Sequence, residues 1–246
     1  MPGAVVSAAD SGSGEPVELL IVVPVLNEGA ALAEHLHALE SLRRNGAFLV
    51  VADGGSTDGS VDIARRLADR TVSALRGRAS QMNAGAAARP ARVLLFLHAD
   101  TRLPEDAHRL ILQTVEHGSV WGRFDVRLDS ARPVLRIVAA LMNLRSRLTG
   151  IATGDQAMFV TRAAFEVVGG FPALPLMEDI EMSRRLKRLG RPACLRQRVT
   201  TSARRWQQGG VCRTVWLMWR LRAAYFFGAD PARLARRYGN ARRDTR

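Results

Sequence analysis

Polar side chains follow several apolar runs of this sequence, and Val93–Asp100 is the clearest case. Five consecutive apolar residues there end abruptly in His98, Ala99 and Asp100, and such a run predicts a strand buried on both faces. In an open α/β sheet, ligands bind just beyond the carboxyl ends of the strands. Asp100 therefore occupies a position suited to a metal ion or a phosphate, although an aspartate considered alone is more often a loop residue.

A second such position follows the run Phe48–Ala52. Asp53 ends this run and opens a glycine-rich turn that leads into a helix. A turn of this kind can bind phosphate through the helix N-terminus. Its glycines lack the spacing of a dinucleotide-binding oxidoreductase, which disfavours that class, and a tight strand–helix connection alone explains the turn. These glycines are Gly54, Gly55 and Gly59.

Three further places carry polar groups beside predicted elements. Glu28 follows the apolar run Leu19–Val23, a strand that Pro24 is predicted to stop. Arg78 and Asn83 lie near the start of an alanine-rich helix, where a lone arginine is most often solvated.

The acidic pair Glu178 and Asp179 opens a helix that is predicted to end at Gly190. Carboxylates at a helix start are favoured by the helix dipole alone, so the pair does not by itself indicate a site.

The elements that position these residues predict an α/β fold. Four strand–helix units in sequence indicate right-handed crossovers and a mostly parallel sheet. Beyond them, Val120–Asp129 alternates strictly between apolar and polar residues, which predicts a strand with one wetter face. That face would carry Trp121, Arg123, Asp125, Arg127 and Asp129. Val134–Leu148 is predicted to be helical and is unusually apolar.

Composition and charge set further bounds on the 246-residue chain. Its formal net charge of +13 is concentrated in the segment Arg184–Arg246, which holds 17 arginines and one lysine against two aspartates. Such a segment attracts phosphates of lipids, nucleotides or nucleic acids. The two cysteines give neither a disulfide framework nor a metal-binding spacing, and a reducing compartment fits them. Residues 1–16, small and polar, are predicted to be a disordered leader.

The segment Val211–Gly228 is apolar nearly all round but is interrupted by arginines. Its uncharged stretches are far shorter than the roughly 20 residues that span a bilayer. Trp216, Trp219 and Phe226 share a helical stripe, which suggests peripheral binding to an anionic membrane surface. Packing of this helix on the rest of the protein explains the stripe equally well. Nucleic-acid binding is disfavoured because the aromatics sit in apolar helical runs rather than on strands.

Five motifs, in order and spacing, resemble those of family 2 glycosyltransferases, and the match runs from Glu18 to Gly190. The chain looks most similar to the small bacterial members associated with radical-SAM or selenium-related genes. The motifs are P-V-L-N-E at Pro24–Glu28, A-D-G-G-S-T-D-G-S at Ala52–Ser60, H-A-D at His98–Asp100, V-G-G-F at Val168–Phe171 and M-E-D-I-E-M-S-R-R-L at Met177–Leu186. Each motif alone is weak, whereas five in order make a specific signal.

This resemblance implies a GT-A fold, a Rossmann-like and mostly parallel sheet flanked by helices, over residues 17–209. Residues 210–246 would form a basic, apolar helical segment. The implied reaction is inverting transfer of a sugar from a nucleotide-sugar donor to an acceptor, which is a glycan, a lipid or a small molecule. We also predict that this transfer is non-processive and that the location is the cytoplasm, with peripheral attachment of the basic C-terminal segment to the inner face of the membrane as an option.

The resemblance also implies roles for individual residues. Donor-binding positions are Pro24, Glu28, Asp53, Arg78 and Asn83. Asp100 matches the last acid of the family's D-x-D motif and would hold Mg²⁺ or Mn²⁺. His98 replaces the first acid and is a second candidate ligand. Asp179 matches the family's general base, and Glu178 would support it.

One departure from the family pattern bears on processivity. Processive members carry Q-x-x-R-W, whereas this chain keeps Arg205 and Trp206 but has Ser202 in place of the glutamine. That difference disfavours a polymer-extruding synthase, although Arg205 and Trp206 could still act at the acceptor or diphosphate. The alternative function is a non-catalytic nucleotide-binding or membrane-surface protein on the same fold.

Overall fold

An eight-stranded sheet forms the centre of the protein in a computed structural model that describes residues 15–243. In chain order the strands are β1 (Val17–Val25), β2 (Phe48–Asp53), β3 (Arg70–Ser73), β4 (Ala91–Phe96), β5 (Thr101–Arg102), β6 (Trp121–Asp129), β7 (Met158–Thr161) and β8 (Ala193–Ser202). Their order across the sheet is β3-β2-β1-β4-β7-β6-β8-β5. The predicted leader 1–16 lies outside the described residues except for its last two positions.

Helices flank this sheet. They are α1 (Ala31–His37), α2 (Glu40–Arg44), α3 (Ser60–Leu67), α4 (Arg78–Ala87), α5 (Ala107–Glu116), α6 (Pro133–Thr149), α7 (Arg162–Val167), α8 (Glu178–Leu186), α9 (Arg204–Gly209), α10 (Val211–Phe226) and α11 (Pro231–Arg243). A short 3₁₀ turn spans Gly154–Gln156. Among the described residues, no helix is both long enough and apolar enough to cross a membrane.

The first half of the sheet is parallel, as the apolar runs predict, because β3, β2, β1 and β4 all pair in parallel. The proline was wrongly predicted to stop the first strand: β1 continues to Val25, and Pro24 lies opposite Ala52. A proline without an N–H is tolerated here because it lies one residue from the end of the strand.

The predicted strand Val93–Asp100 is too long, since β4 ends at Phe96. Its partner β7 begins at Met158, and the preceding Ala157 has φ of 48°, so the ladder on that side stops at Phe96. Asp100 is instead exposed, immediately before β5. Its carbonyl accepts the N–H of Ser202 at 3.2 Å, which joins this loop to β8.

The second half of the sheet contains both strand directions. β7 is antiparallel to β4 and β6, whereas β6 is parallel to β8. The predicted wetter face of β6 is wrong over its first half, because Trp121 and Arg123 are fully buried. β6 lies between two other strands, and the guanidinium of Arg123 is paired with Asp125 under α6. Exposed polar residues begin only at Arg127.

Helix α4 lies close against the sheet and carries Arg78 to its carboxyl edge. A Cβ at Gly85 would lie only 2.3 Å from Val22 Cγ1, so glycine is required for this approach. On the same helix, Gln81 Nε2 donates to the carbonyls of Val25 at 2.6 Å and Ala52 at 2.9 Å. These bonds join α4 to the ends of β1 and β2.

The basic C-terminal helices pack on the segment that begins α8. Met177, Leu221 and Leu234 form a buried cluster, with Ile180 and Tyr238 packed around it. The start of α10 also contacts α6. Helices α10 and α11 therefore lie beside the Glu178–Asp179 pair. The predicted helix end at Gly190 is wrong, because α8 ends at Leu186 and a turn follows.

Candidate functional site

The loops after β1 and β2 are fastened to each other at the carboxyl edge of the sheet. Ser60 Oγ accepts the N–H groups of Glu28 at 3.1 Å and Gly29 at 3.0 Å. Asn27 has φ of 55°, and its side-chain oxygen accepts the N–H of Thr57 at 2.8 Å. A left-handed asparagine held by such bonds is a conformation common at binding sites, and here it fixes the position of Glu28.

Asp53 and Pro24 lie behind this loop pair. Asp53 is buried, and its Oδ2 accepts the N–H groups of Gly55 at 2.8 Å and Ser56 at 3.1 Å. Its carboxylate thus closes its own turn, the structural role that the sequence alone favours. A carboxylate oxygen has a second lone pair, so these bonds leave acceptor capacity for a ligand. Pro24 is buried within β1 and offers no polar side chain.

Glu28 and Asp100 are electrostatic neighbours although 72 positions separate them in the sequence. Burial raises the pKa of the Glu28 carboxyl, and the nearby Asp100 carboxylate raises it further. The positive charges of Arg204, Arg78 and His98 lower this pKa but do not offset the rise. Two carboxylates that repel each other in this way form a place where a cation would be stabilised.

His98 packs on the 3₁₀ turn that precedes β7. Its Nδ1 lies 3.5 Å from Asp155 Oδ1, and a Cβ at Gly154 would lie 2.1 Å from its ring. Only glycine lets the histidine ring approach the backbone so closely. A histidine whose one nitrogen faces a carboxylate is held in a fixed ring orientation, an arrangement typical of metal-ligating histidines.

The acidic pair at the start of α8 faces this same turn. Met177 adopts φ of 70° just before the pair, a strained conformation for a residue other than glycine. Asp179 Oδ2 accepts the N–H of Gly154 at 3.0 Å, and its Oδ1 accepts the N–H of Ile180 at 2.8 Å. Asp179 is only half-buried, so its carboxylate is fixed and also reachable.

Glu178 is the more deeply buried member of the pair, at 5% exposure. Burial raises the pKa of its carboxyl, the adjacent Asp179 carboxylate raises it further, and Arg78 lowers it. Arg78 Nη1 lies 4.0 Å from Glu178 Oε1. The pKa of the Glu178 carboxyl therefore lies above that of an exposed glutamate.

Arg78 lies near both groups of carboxylates, Glu28 on one side and Glu178 with Asp179 on the other. Burial lowers the pKa of its guanidinium, but Glu178, Asp155, Tyr238 and Asp179 more than offset this effect and raise it. The side chain is still 44% exposed, so the cation remains accessible to a ligand. Since Arg78 also lies near Glu28, it is the cation shared by the β1 loop and α8.

Asn83 does not join this group. Its Nδ2 donates to the carbonyl of Phe171 at 2.8 Å, and its Oδ1 accepts the N–H of the same residue at 2.9 Å. Both polar atoms of the amide thus hold the Gly-Gly-Phe turn at 169–171. The structure brings together seven polar side chains instead: Glu28, Arg78, His98, Asp100, Asp155, Glu178 and Asp179.

Sequence reasoning missed several neighbours of this cluster of charged side chains. His35 is buried beside Asp100 and His98, and burial lowers its pKa to about 4. The sequence does contain a signal for its burial, because His35 falls on the same face of the predicted helix as Leu32 and Leu36. Asp155 lies far from His98 in the sequence, and no motif joins the two. Of the retained Arg205–Trp206 pair, Trp206 is buried against α6, and the side chain of Arg205 lies outside the described part of the chain.

The donor set fits a divalent cation that completes its shell with substrate oxygens. In residues 15–243, no group of three or more His, Cys, Asp or Glu side chains could hold a metal ion by itself. Asp100 is exposed and lies beside Glu28. Mg²⁺ commonly binds through one or two carboxylates together with phosphate oxygens, so this incomplete set suits a metal that arrives with a nucleotide diphosphate.

Residues 20–164 match the sequence model of glycosyl transferase family 2, which is more than half of the chain. The succinoglycan biosynthesis protein ExoA of Rhizobium meliloti is 56% identical over 54 residues. That alignment covers 20% of this chain and 15% of ExoA, so the chain spans only a small part of that relative's length.

Similar solved structures establish the same fold. S. aureus TarS (residues 1–349) superposes with a TM-score of 0.62 at 17% identity, covering 76% of this chain and 60% of that one. The mannosyltransferase PcManGT of Pyrobaculum calidifontis, in complex with GDP-Man and Mn²⁺, gives 0.58 at 20% identity, covering 85% and 61%. Glucosyl-3-phosphoglycerate synthase of Mycobacterium tuberculosis, in complex with Mg²⁺ and UDP, gives 0.55 at 18% identity, covering 75% and 70%. These likenesses identify the architecture as GT-A, as the motifs predict.

Proposed function

This chain belongs to glycosyl transferase family 2, and we propose that it transfers a sugar from a nucleoside diphosphate sugar to an acceptor, with inversion at the anomeric carbon. One observation carries the proposal. A partly exposed carboxylate, Asp179, is fixed by two backbone N–H groups, and Arg78 links it to Glu28, the neighbour of the exposed carboxylate of Asp100. Such a cluster offers a cation for a diphosphate and a fixed carboxylate for an acceptor hydroxyl.

The donor would lie over the carboxyl ends of β1, β2 and β4. Asp53 would accept a hydrogen bond from the base or ribose, beside Pro24 and Glu28. Arg78 would contact the diphosphate, since its side chain is 44% exposed and lies near both Glu28 and Glu178. The solved complexes of similar proteins with UDP-GlcNAc, GDP-Man and UDP support a nucleotide-sugar donor.

Asp100 would be the protein ligand of Mg²⁺ or Mn²⁺, with His98, oriented by Asp155, as the second. Similar proteins were solved with Mn²⁺ or Mg²⁺. When bound, such an ion neutralises the negative charge that develops on the leaving diphosphate. Glu28 would adjust the negative charge around the bound metal ion, because it lies next to Asp100.

Asp179 would act as general base. The acceptor oxygen forms a bond to the anomeric carbon, its proton passes to Asp179, and the nucleoside diphosphate leaves with the electrons of the broken bond. The N–H groups of Gly154 and Ile180 orient the carboxylate for this step. Glu178 would hold Arg78 and adjust the charge beside the base.

A second role is proposed for the outer surfaces of α6 and α10. Five apolar side chains are exposed along α6 at helical spacing: Val134, Ile137, Leu141, Leu144 and Leu148. Trp216 and Trp219 are exposed on α10, and the guanidinium of Arg220 stacks 4.7 Å from the Trp216 ring. Aromatic and aliphatic side chains edged by arginines suit the surface of an anionic membrane. Peripheral attachment there would bring a lipid acceptor to a cytoplasmic enzyme.

The alternative, a non-catalytic nucleotide-binding or membrane-surface protein on the same fold, predicts donor binding without turnover. A panel of UDP- and GDP-sugars, incubated with the full chain, a mixture of glycan, lipid and small-molecule acceptors, and with or without Mn²⁺, separates the two. Release of nucleoside diphosphate above that of the Asp179→Asn variant supports the transferase. Binding of a donor without any release by the parent supports the alternative.

A further inference from the structure

A groove lies between α10 and α11, the two basic helices that end the described part of the chain. It has a volume of about 440 Å³, within the range of about 300–1,000 Å³ that is usual for small-molecule sites. Its apolar lining consists of three leucines and two alanines: Leu217, Leu221, Leu234, Ala223 and Ala224. Positions 217, 221 and 224 lie on one face of α10, so the groove follows that helix for about two turns, roughly 10 Å. A long apolar groove suits a hydrocarbon chain.

Two cations complete the lining, Arg220 from α10 and Arg237 from α11. Both side chains are exposed, and neither forms an ion pair with a carboxylate in the part of the chain that the structure describes. The guanidinium of Arg220 stacks on Trp216 instead, 4.7 Å from the ring centroid, which leaves the N–H groups at its edge able to bind an anion. None of the described lining residues is acidic. A ligand with an apolar chain and an anionic head therefore matches the groove in both shape and charge.

The groove lies between the proposed membrane surface and the acidic pair of α8. On its outer side, Arg220 contacts Trp216, one of the exposed tryptophans of α10. On its inner side, Leu221 and Leu234 pack on Met177, the residue that precedes the acidic pair. A lipid held in this groove would thus lie next to the loop that positions the proposed base.

We propose that this groove binds the hydrocarbon chain of a lipid phosphate, and that Arg220 and Arg237 contact its phosphate. Charge favours this occupant over a second copy of the chain, because the net charge of +13 is concentrated in the segment Arg184–Arg246 and two such segments repel each other. The two cations also favour a phosphorylated lipid over a neutral one. The inference rests on the proposed membrane attachment for the source of the lipid, whereas binding of a dispersed lipid does not depend on sugar transfer.

The test is equilibrium binding of dodecyl phosphate, below its micelle concentration, to the full chain without metal or nucleotide. Glycerol 3-phosphate supplies the phosphate without the chain, and dodecyl maltoside below its micelle concentration supplies the chain without the charge. Isothermal titration calorimetry measures all three. We expect dodecyl phosphate to bind at least about tenfold more tightly than either of the others, because it alone both fills the groove and meets the arginines.

Two kinds of variant locate the binding. Ala223→Phe places a ring in the groove from an exposed position and should weaken binding of dodecyl phosphate by about tenfold or more, whereas Ala163→Phe, at an exposed alanine of α7, is the matched control. Arg220→Gln and Arg237→Gln should each weaken it about three- to fivefold, the size expected for a solvent-exposed ionic contact. Arg213→Gln is their control, because Arg213 is exposed on α10 away from the groove.

Four outcomes would contradict the proposal. Equal affinity of the parent, Ala223→Phe and Ala163→Phe for dodecyl phosphate would exclude the groove as the site. Equal binding of dodecyl maltoside and dodecyl phosphate would refute the phosphate contact, and equal binding of glycerol 3-phosphate would refute the role of the chain. A dimer of the parent in sedimentation that Ala223→Phe dissociates would make a second copy the occupant. Because no nucleotide sugar is present, failure of the proposed transfer would leave these results unchanged.

Discussion

The backbone N–H of Gly154 donates a 3.0 Å hydrogen bond to Oδ2 of Asp179. The same glycine lies beneath the ring of His98, so closely that a methyl group in its place would overlap the imidazole. One residue thus sets the distance between the proposed metal side and the proposed base. The 3₁₀ turn Gly154–Gln156 holds this position, with a capping box between Thr153 and Gln156.

Acid should destabilise the protein through His35. Its pKa is about 4 in the folded protein because the ring is buried, against 6.5 when unfolded. The unfolded state therefore binds more protons between these values, and the stability that the neutral ring contributes is lost as pH falls from about 6.5 to 4. The full effect is on the order of 3 kcal/mol. Urea unfolding across this pH window measures it.

His35→Leu should remove this part of the pH dependence. His37→Gln is the control, because His37 is exposed on the same helix. The groups that face His35 are Asp100, Arg102 and His98, and they stay unchanged in both variants. An equally steep pH dependence in His35→Leu and the parent would show that another group is responsible.

Asn83 should matter for stability rather than for donor binding. Asn83→Ala leaves the N–H and carbonyl of Phe171 without their side-chain partners, which we expect to cost about 1–3 kcal/mol. Nucleotide affinity should change less than twofold. Asn45→Ala is a suitable control, since Asn45 is exposed at the end of α2. If Asn83→Ala unfolds like the parent but binds nucleotide more weakly, Asn83 acts in donor binding and not in stability.

The parallel half of the sheet could be predicted because each buried strand is a continuous apolar run. The site could be predicted only in part, since its assembly depends on contacts between distant segments. Arg78 and Asn83 are close in the sequence, yet five residues turn a helix by about 140° beyond one full turn, so they face different surroundings. Arg123 looked solvated because alternation alone does not reveal that Asp125 neutralises it beneath α6.

The C-terminal helices illustrate the same difficulty. The apolar residues of these helices predict helical structure, but they do not predict which helix face packs on the rest of the protein. Leu221 and Leu234 pack on Met177, whereas Trp219 is 70% exposed. Such a choice depends on the partner surface, here the loop before α8, whose left-handed Met177 carries no local sequence signal.

Asp100→Ala should abolish the effect of Mn²⁺ on nucleotide binding. Titrations of UDP and GDP with and without Mn²⁺ should show at least a tenfold enhancement by the metal for one nucleotide in the parent, and none in the variant. His98→Ala should lose less, because the histidine is the second ligand at most. Asp62→Ala, an exposed acid on α3, is the control. Parent-like enhancement in Asp100→Ala would place the metal elsewhere.

Membrane attachment is expected to depend on both exposed helix surfaces. Vesicles of phosphatidylglycerol should pellet the protein at low salt and release it as salt rises. Trp219→Ser and Ile137→Ser should each weaken pelleting, because both side chains are exposed and would enter the interface. Leu75→Ser offers a control, since Leu75 is an exposed leucine on a different part of the chain. Absence of the parent protein from the pellet at low salt would rule out this surface.

The most direct test of the central claim is single-turnover transfer by Asp179→Asn at matched donor occupancy. Asparagine keeps the shape of the side chain and one acceptor oxygen but cannot take the proton. We expect donor affinity to stay nearly unchanged and the melting temperature to fall slightly, because the amide nitrogen cannot accept one of the two backbone N–H groups that Asp179 binds. Transfer should fall by a factor on the order of 10²–10⁴, with a smaller loss in Glu178→Gln. Near-normal transfer by Asp179→Asn, or a larger loss in Glu178→Gln, would contradict Asp179 as the base.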